Sequence, residues 1–173
     1  MFFNVKELEL RKVRFDVSIP PGEIDYFDPG LRQSGPLDAA GEVELLSEAL
    51  REIRIRGSLR VKIETECDRC LEIAVFPIES DFDLVYRPAP AKGEIPEEVE
   101  IHRGEVEIAF YRGSGLELND ILREQVLLSL PMQRVCREEC QGICPVCGQD
   151  RNAAKCQCET RPADDRWAAL RNL

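Results

Sequence analysis

"IRIRGSLRVKIETEC", residues 53–67, puts Ile53, Ile55, Gly57, Leu59, Val61, Ile63, Thr65 and Cys67 on one parity and Arg54, Arg56, Ser58, Arg60, Lys62, Glu64 and Glu66 on the other. A strict period of two over fifteen residues is the signature of a strand with one buried and one wet face. A second alternating run follows, with Phe76, Ile78, Phe82, Leu84 and Tyr86 on one parity. Between the two lies "CDRC" (67–70), which therefore reads as a turn joining two antiparallel strands.

Working outward, residues 5–19 alternate loosely and read as a strand, with Val13, Phe15, Val17 and Ile19 on one side. The Pro-, Gly- and Asp-rich stretch 20–41 reads as a long loop, and "RPAPAKGEIPEE" (87–98) as a proline-rich exposed one. A further hairpin is expected around "IHRGEVEIAF" (101–110). "LNDILREQVLLSL" is the strong helix, near 119–130: Leu118, Ile121, Leu122 and Val126 recur at helical spacing, Asn119 or Asp120 is placed to cap it, and Pro131 ends it. "DRWAALRNL", capped by Asp164 or Asp165, reads as a short terminal helix. The fold expected is α+β: a mainly antiparallel β domain with one packed helix over 1–133, then a cysteine-rich zinc-knuckle tail over 134–173.

The chain of 173 residues carries a formal net charge of −10. Residues 134–173 hold seven Lys/Arg against six Asp/Glu, so −11 falls on residues 1–133. Sequence-independent nucleic-acid binding depends on clustered Lys and Arg, so this balance does not favour direct RNA contact, whereas an acidic body can attract a basic protein. Arg54, Arg56, Arg60, Lys62 and Arg69 do form a basic stripe, but pairing with the many glutamates across strands is the expected use of it. The N-terminus has no basic segment followed by an apolar one and no small-residue cleavage site, and no run approaches eighteen apolar residues. The expected location is cytoplasmic, without membrane contact, where thiols stay reduced.

Eight cysteines in that setting favour metal over disulfides. In "CREECQGICPVCGQDRNAAKCQC" (136–158), Cys144-Pro-Val-Cys147-Gly148 has the form of a zinc knuckle, a turn that aims two thiolates at one point. The other ligands come from Cys136, Cys140, Cys156 and Cys158. Cys136 and Cys140 share a face only if their segment is helical, and Cys156 and Cys158 point to opposite sides of an extended strand, so only one of them is expected to serve. No His or carboxylate pattern keeps a position open, so the zinc is expected to be structural. Cys67 and Cys70 have three readings: a second or shared metal site, a redox pair, or plain reduced thiols. A redox CxxC normally opens a helix, where the dipole lowers the thiol pKa, and this one joins two strands.

An enzyme is not expected. His102 is the single histidine and falls in the expected hairpin, where surface placement is the reading, and no nucleophile motif, Walker loop or GxGxxG occurs.

In order and spacing, "CDRCLE" (67–72), "LELNDILREQVLLSLPM" (116–132), "GICPVCG" (142–148) with Asn152 beyond it, and the terminal C-x-C pair resemble the YceD family, the large ribosomal RNA subunit accumulation proteins. The resemblance covers the chain from about residue 41 onward. It implies a non-enzymatic part in accumulation of 23S rRNA and hence in large-subunit biogenesis. CxRC is its more general hallmark, while the tail cysteines are absent from some members. Large-subunit assembly intermediates or a basic ribosomal protein are the partners implied. The alternatives are a thiol redox protein using Cys67 and Cys70, or a zinc-ribbon nucleic-acid-binding protein.

Overall fold

The computed structural model describes residues 1–90 and 108–158. Two compact units emerge: Met1–Thr65 together with the described residues from Val75 to Met132, and Glu66–Ala74 together with the described residues from Gln133 onward. The turn carrying Cys67 and Cys70 thus belongs with the cysteine-rich segment, although sequence position lists it inside 1–133.

The first unit is mainly sheet. Its elements are β1 (Phe2–Asn4), α1 (Val5–Leu8), β2 (Val13–Ile19), β3 (Arg32–Gln33), β4 (Leu37–Ser47), β5 (Glu52–Glu66), β6 (Ile73–Pro88), β7 (Ile108–Tyr111), β8 (Gly115–Glu117) and α2 (Leu118–Ser129). Among the described residues the larger sheet runs β2-β4-β5-β6-β7, with β3 also on β5, and β1 pairs with β8 in a second, two-stranded sheet. β4 is antiparallel to β2 (Val13↔Val43, Ile19↔Leu37) and to β5 (Val43↔Ile55, Ala39↔Leu59).

The wet face of β5 follows the expected pairing. Arg54 Nε donates to Asp83 Oδ1 at 2.7 Å, Arg60 meets Glu79 at 2.9 Å, and Arg87 donates to Glu52 at 2.5 Å. Positions climb along β5 as they fall along β6, which is the antiparallel arrangement. Arg56 pairs with Glu42 of β4. These exposed pairs contribute little to stability, but they occupy Arg54, Arg56 and Arg60 of the stripe. β7 departs from the pattern: it joins β6 in parallel (Val85↔Ile108).

The buried parity of β5 is as the alternation predicts: Ile53, Ile55, Leu59, Val61 and Ile63 are buried, and so is Thr65. The five aliphatic residues form one apolar cluster with Ile78, Phe82 and Tyr86 of β6 and with Leu118, Ile121, Leu122 and Val126 of α2. The helix therefore packs its apolar stripe on the sheet, as its spacing requires. Its start differs from expectation. Glu117 occupies the cap position and makes no side-chain cap hydrogen bond. Asp120 lies in the first turn, where a negative charge suits the helix dipole, and holds Arg123 at 2.6 Å. The last residue before Pro131 is extended (ψ 139°), as the proline ring demands.

Two further expectations are corrected. Residues 5–12 are not strand: Asn4 accepts from Lys6 N–H at 3.0 Å and caps the short turn α1. The long loop 20–41 is interrupted by β3 and by the first residues of β4. Ala39, Ala40 and Gly41 carry little apolar signal, yet Leu37, Ala39 and Val43 are buried against the neighbouring strands. The remainder of the 101–110 hairpin, His102, most of the 87–98 loop and the terminal helix lie outside the described residues. No helix among the described residues is long and apolar enough to cross a membrane.

Candidate metal centres

The second unit contains the same local turn twice. After β5 ends, Cys67 begins a knuckle in which Leu71 N–H donates to Cys67 O at 2.9 Å and Cys67 N–H donates to Glu72 O at 2.8 Å. At the other cysteine pair, Gly148 N–H donates to Cys144 O at 2.9 Å and Cys144 N–H donates to Gln149 O at 2.8 Å. The residue after the second cysteine is left-handed in both, φ 65° at Leu71 and 73° at Gly148. "CDRCL" is therefore a knuckle of the same construction as "CPVCG".

Each knuckle gathers two further thiols. Cys67, Cys70, Cys136 and Cys140 form one group and Cys144, Cys147, Cys156 and Cys158 the other, with the sulfurs of each group within 4.8 Å of one another. In the first group Cys67 Sγ and Cys140 Sγ are 3.9 Å apart, and Cys70 Sγ and Cys136 Sγ 3.8 Å. A zinc–sulfur bond of ~2.3 Å places the corners of a tetrahedron ~3.8 Å apart, so these two separations are those of zinc ligands and the group as a whole could hold one ion. The paired sulfurs are nearly twice as far apart as the ~2.05 Å of a disulfide. Four soft sulfur donors with no carboxylate or imidazole suit zinc or an iron–sulfur centre, and a fully occupied tetrahedron leaves no position for substrate.

Every residue of "CDRC" contributes to this grouping. The Asp68 carboxylate accepts from Arg134 N–H at 2.7 Å, while Asp68 N–H donates to Arg134 O at 2.8 Å. Arg69, counted above with the basic stripe, instead donates its guanidinium to the carbonyls of Glu138 and Cys140, both at 3.3 Å. Cys136 N–H donates to Cys67 Sγ at 3.3 Å. These bonds bring the 134–140 segment onto the turn. Cys136 and Cys140 converge without a helix, through a turn closed by Cys140 N–H to Arg137 O at 3.1 Å.

The second group overturns the expectation that only one of Cys156 and Cys158 can serve. That argument required an extended strand, and residues 154–158 form none, so both thiols turn toward Cys144 and Cys147.

The thiols perturb one another. Burial works to raise Cys67, but the N–H groups of Cys136, Arg69 and Cys70 outweigh it and hold it at about 6. At Cys144 the N–H groups of Cys147 and Val146 dominate and lower it to about 6. Cys140 is lowered as well: burial opposes ionisation, and the Asn152 amide and Gly142 N–H overcome it. Cys70 is pushed up to about 12: Glu72 N–H favours its charge, but burial and the neighbouring thiols prevail. Cys158 also goes up to about 12, chiefly through Cys147. Each group thus sets thiols that ionise easily beside thiols that resist while their neighbours are charged, an arrangement that a divalent cation relieves.

Sequence reading missed Asp68, Arg69, Gly142 and Asn152 as parts of these centres. The matching C-x-x-C-x spacing at 67–71 and 144–148 was the available signal.

The family model described as "Large ribosomal RNA subunit accumulation protein YceD" matches residues 55–173. Uncharacterized proteins of Mycobacterium tuberculosis and Mycobacterium bovis are 30% identical over 139 residues, covering 80% of this chain and 62% of theirs. The large ribosomal RNA subunit accumulation protein YCED homolog 1, chloroplastic, of Arabidopsis thaliana is 25% identical over 146 residues, covering 71% of this chain and 44% of its own. The chain thus spans less than two thirds of the length of these relatives. No solved structure matches it.

Proposed function

Because the chain belongs to the YceD family, named for accumulation of the large ribosomal RNA subunit, we propose that it is a non-enzymatic cytoplasmic factor for large-subunit biogenesis, built around two structural zinc ions. The family match over residues 55–173 carries this reading. The acidic first unit is the surface offered to a basic ribosomal protein or to a preribosomal particle. Charge supports a protein partner over naked RNA: the net charge is −10, and Arg54, Arg56 and Arg60 are already paired with carboxylates. One zinc ion is assigned to Cys67, Cys70, Cys136 and Cys140, the other to Cys144, Cys147, Cys156 and Cys158.

The thiol-redox alternative has less support. Cys67 ionises readily, but its side chain is fully buried and two further thiols crowd the pair, whereas redox-active cysteines are accessible. Sedimentation of lysate through a gradient tests the reading. The protein is expected to migrate with preribosomal particles, and its depletion to lower 23S rRNA. Absence from those particles together with unchanged rRNA would sink it.

A further inference from the structure

The two cysteine groups are consecutive in sequence, and Gln141, Gly142 and Ile143 alone separate the last ligand of one from the first of the other. This short connection is held from both sides. Ile143 N–H donates to Arg69 O at 2.8 Å, inside the first knuckle, and Arg151 N–H donates to Gly142 O at 2.9 Å, from the loop beyond the second. Gly142 is left-handed at φ 67°, and a Cβ there would stand 2.7 Å from Arg69 O.

Asn152 lies at the centre of this arrangement. It falls between Cys147 and Cys156, inside the loop that the second group closes. Its Oδ1 accepts from Gln141 N–H at 2.8 Å, which fixes the orientation of the amide. Nδ2 then donates to Asp150 Oδ1 at 2.7 Å and to Cys140 Sγ, a ligand of the first group, at 3.5 Å. Asn152 N–H also donates to Asp150 Oδ1, at 2.9 Å. One side chain therefore belongs by sequence to the second group and donates to a sulfur of the first.

The consequence follows from ordering. Apart from the bridge of Asp150 to Ile143, residues 148–158 are turn and irregular chain, so fixing them carries an entropic penalty at each residue. Metal bound by Cys144, Cys147, Cys156 and Cys158 closes that loop and leaves Asn152 already in position. A donor to a ligating atom typically changes metal affinity by about 10- to 100-fold. We propose that Asn152 is a positioning residue that couples the two centres, so that metal at the Cys144 group raises the affinity of the Cys67 group by about tenfold or more. Reciprocity then requires metal at the Cys67 group to tighten the Cys144 group by the same factor.

This inference rests on the two-metal reading above, and cobalt titration separates the two. The reduced, metal-free full chain is titrated with Co²⁺, followed by sulfur-to-cobalt charge-transfer absorption, and then competed with Zn²⁺. Two Co²⁺ per chain are expected, and no thiolate band at all would overturn the metal reading itself. Asn152→Ala is expected to keep two ions while weakening the Cys67 group by about 10- to 100-fold. Cys156→Ser/Cys158→Ser, which leaves the first group alone, is expected to weaken it by a similar factor, and adding Asn152→Ala to that background to change it little. Asn152→Asp retains the acceptor for Gln141 N–H but turns an oxygen toward Cys140, so it should weaken the first group at least as much as alanine. Coupling is overturned if Asn152→Ala weakens the first group equally in both backgrounds, or if Asn152→Ala or Asn152→Asp binds cobalt as the unaltered chain does.

Discussion

The two knuckles, Cys67–Leu71 and Cys144–Gly148, have the same hydrogen bonds and the same left-handed fifth residue, and they differ in everything around them. The first draws its remaining thiols from Cys136 and Cys140, some seventy positions along the chain, and buries Cys67, Cys70 and Cys140. The second completes its set by Cys158, with Cys147 exposed and Cys156 and Cys158 half-buried. Between their cysteines the first has Asp68 and Arg69, both bonded to the 134–140 segment, and the second has Pro145 and Val146. The same turn therefore serves as a clasp between distant segments in one case and as a local fold in the other. Loss of metal should be felt differently at the two.

The largest expected effect breaks that difference open. Cys67→Ser should unfasten the 134–140 segment from the turn, lower the metal content from two to one, and reduce the stability of the second unit by more than about 4 kcal/mol. Cys144→Ser should also leave one ion but disorder only the chain beyond it, and both variants should leave the β-rich unit folded. Metal analysis with amide hydrogen exchange reads both outcomes. Equal loss of protection at 134–140 in the two variants would contradict the distinction.

Acidification should act on both centres. Metal entry displaces the protons that Cys70 and Cys158, pushed up to about 12, still hold at neutral pH. Apparent affinity must therefore rise with pH and fall as pH drops. The fall should steepen near 6, where Cys67 and Cys144 also take up protons in the metal-free chain. Chelator competition between pH 5.5 and 8 checks the sign, and a pH-independent affinity would argue against thiolate ligation.

A smaller effect is expected at the connection between the centres. Gly142→Ala places a Cβ 2.7 Å from Arg69 O on a left-handed backbone and should cost about 2 kcal/mol, measured by denaturation of the metal-loaded chain. The smallest effects sharpen the comparison of fifth residues. Leu71 tolerates φ 65° at a penalty that glycine does not incur, so Leu71→Gly should stabilise by up to about 1 kcal/mol and Gly148→Leu should destabilise by about as much. No change in melting temperature for either would mean that surrounding contacts, rather than φ, set the balance at these positions.

Leu71 also explains part of what the sequence concealed. Glycine after CxxC announces a left-handed turn, as Gly148 does, but leucine there does not, so "CDRCL" read as an ordinary hairpin turn. β5 and α2 were legible because periods of 2 and 3.6 are local properties of the chain. β4 was partly hidden, because its burial depends on Ala39 and neighbours that carry little apolar signal of their own. The parallel partner of β6 was not legible at all, since pairing direction is a property of two segments and not of either.

The sequence by itself determined the alternating strand that ends at Glu66, the helix that stops short of Pro131, and the knuckle at 144–148, since each depends on residues within a few positions of one another. The family, too, was recognisable from the order of its motifs. Tertiary structure alone decided which cysteines stand together, that Arg69 is spent on two carbonyls, and that Asn152 donates to Cys140. A four-thiol site is defined by distances of a few ångströms between sulfurs, and residues 67 and 140 acquire such a distance only when the chain between them has folded.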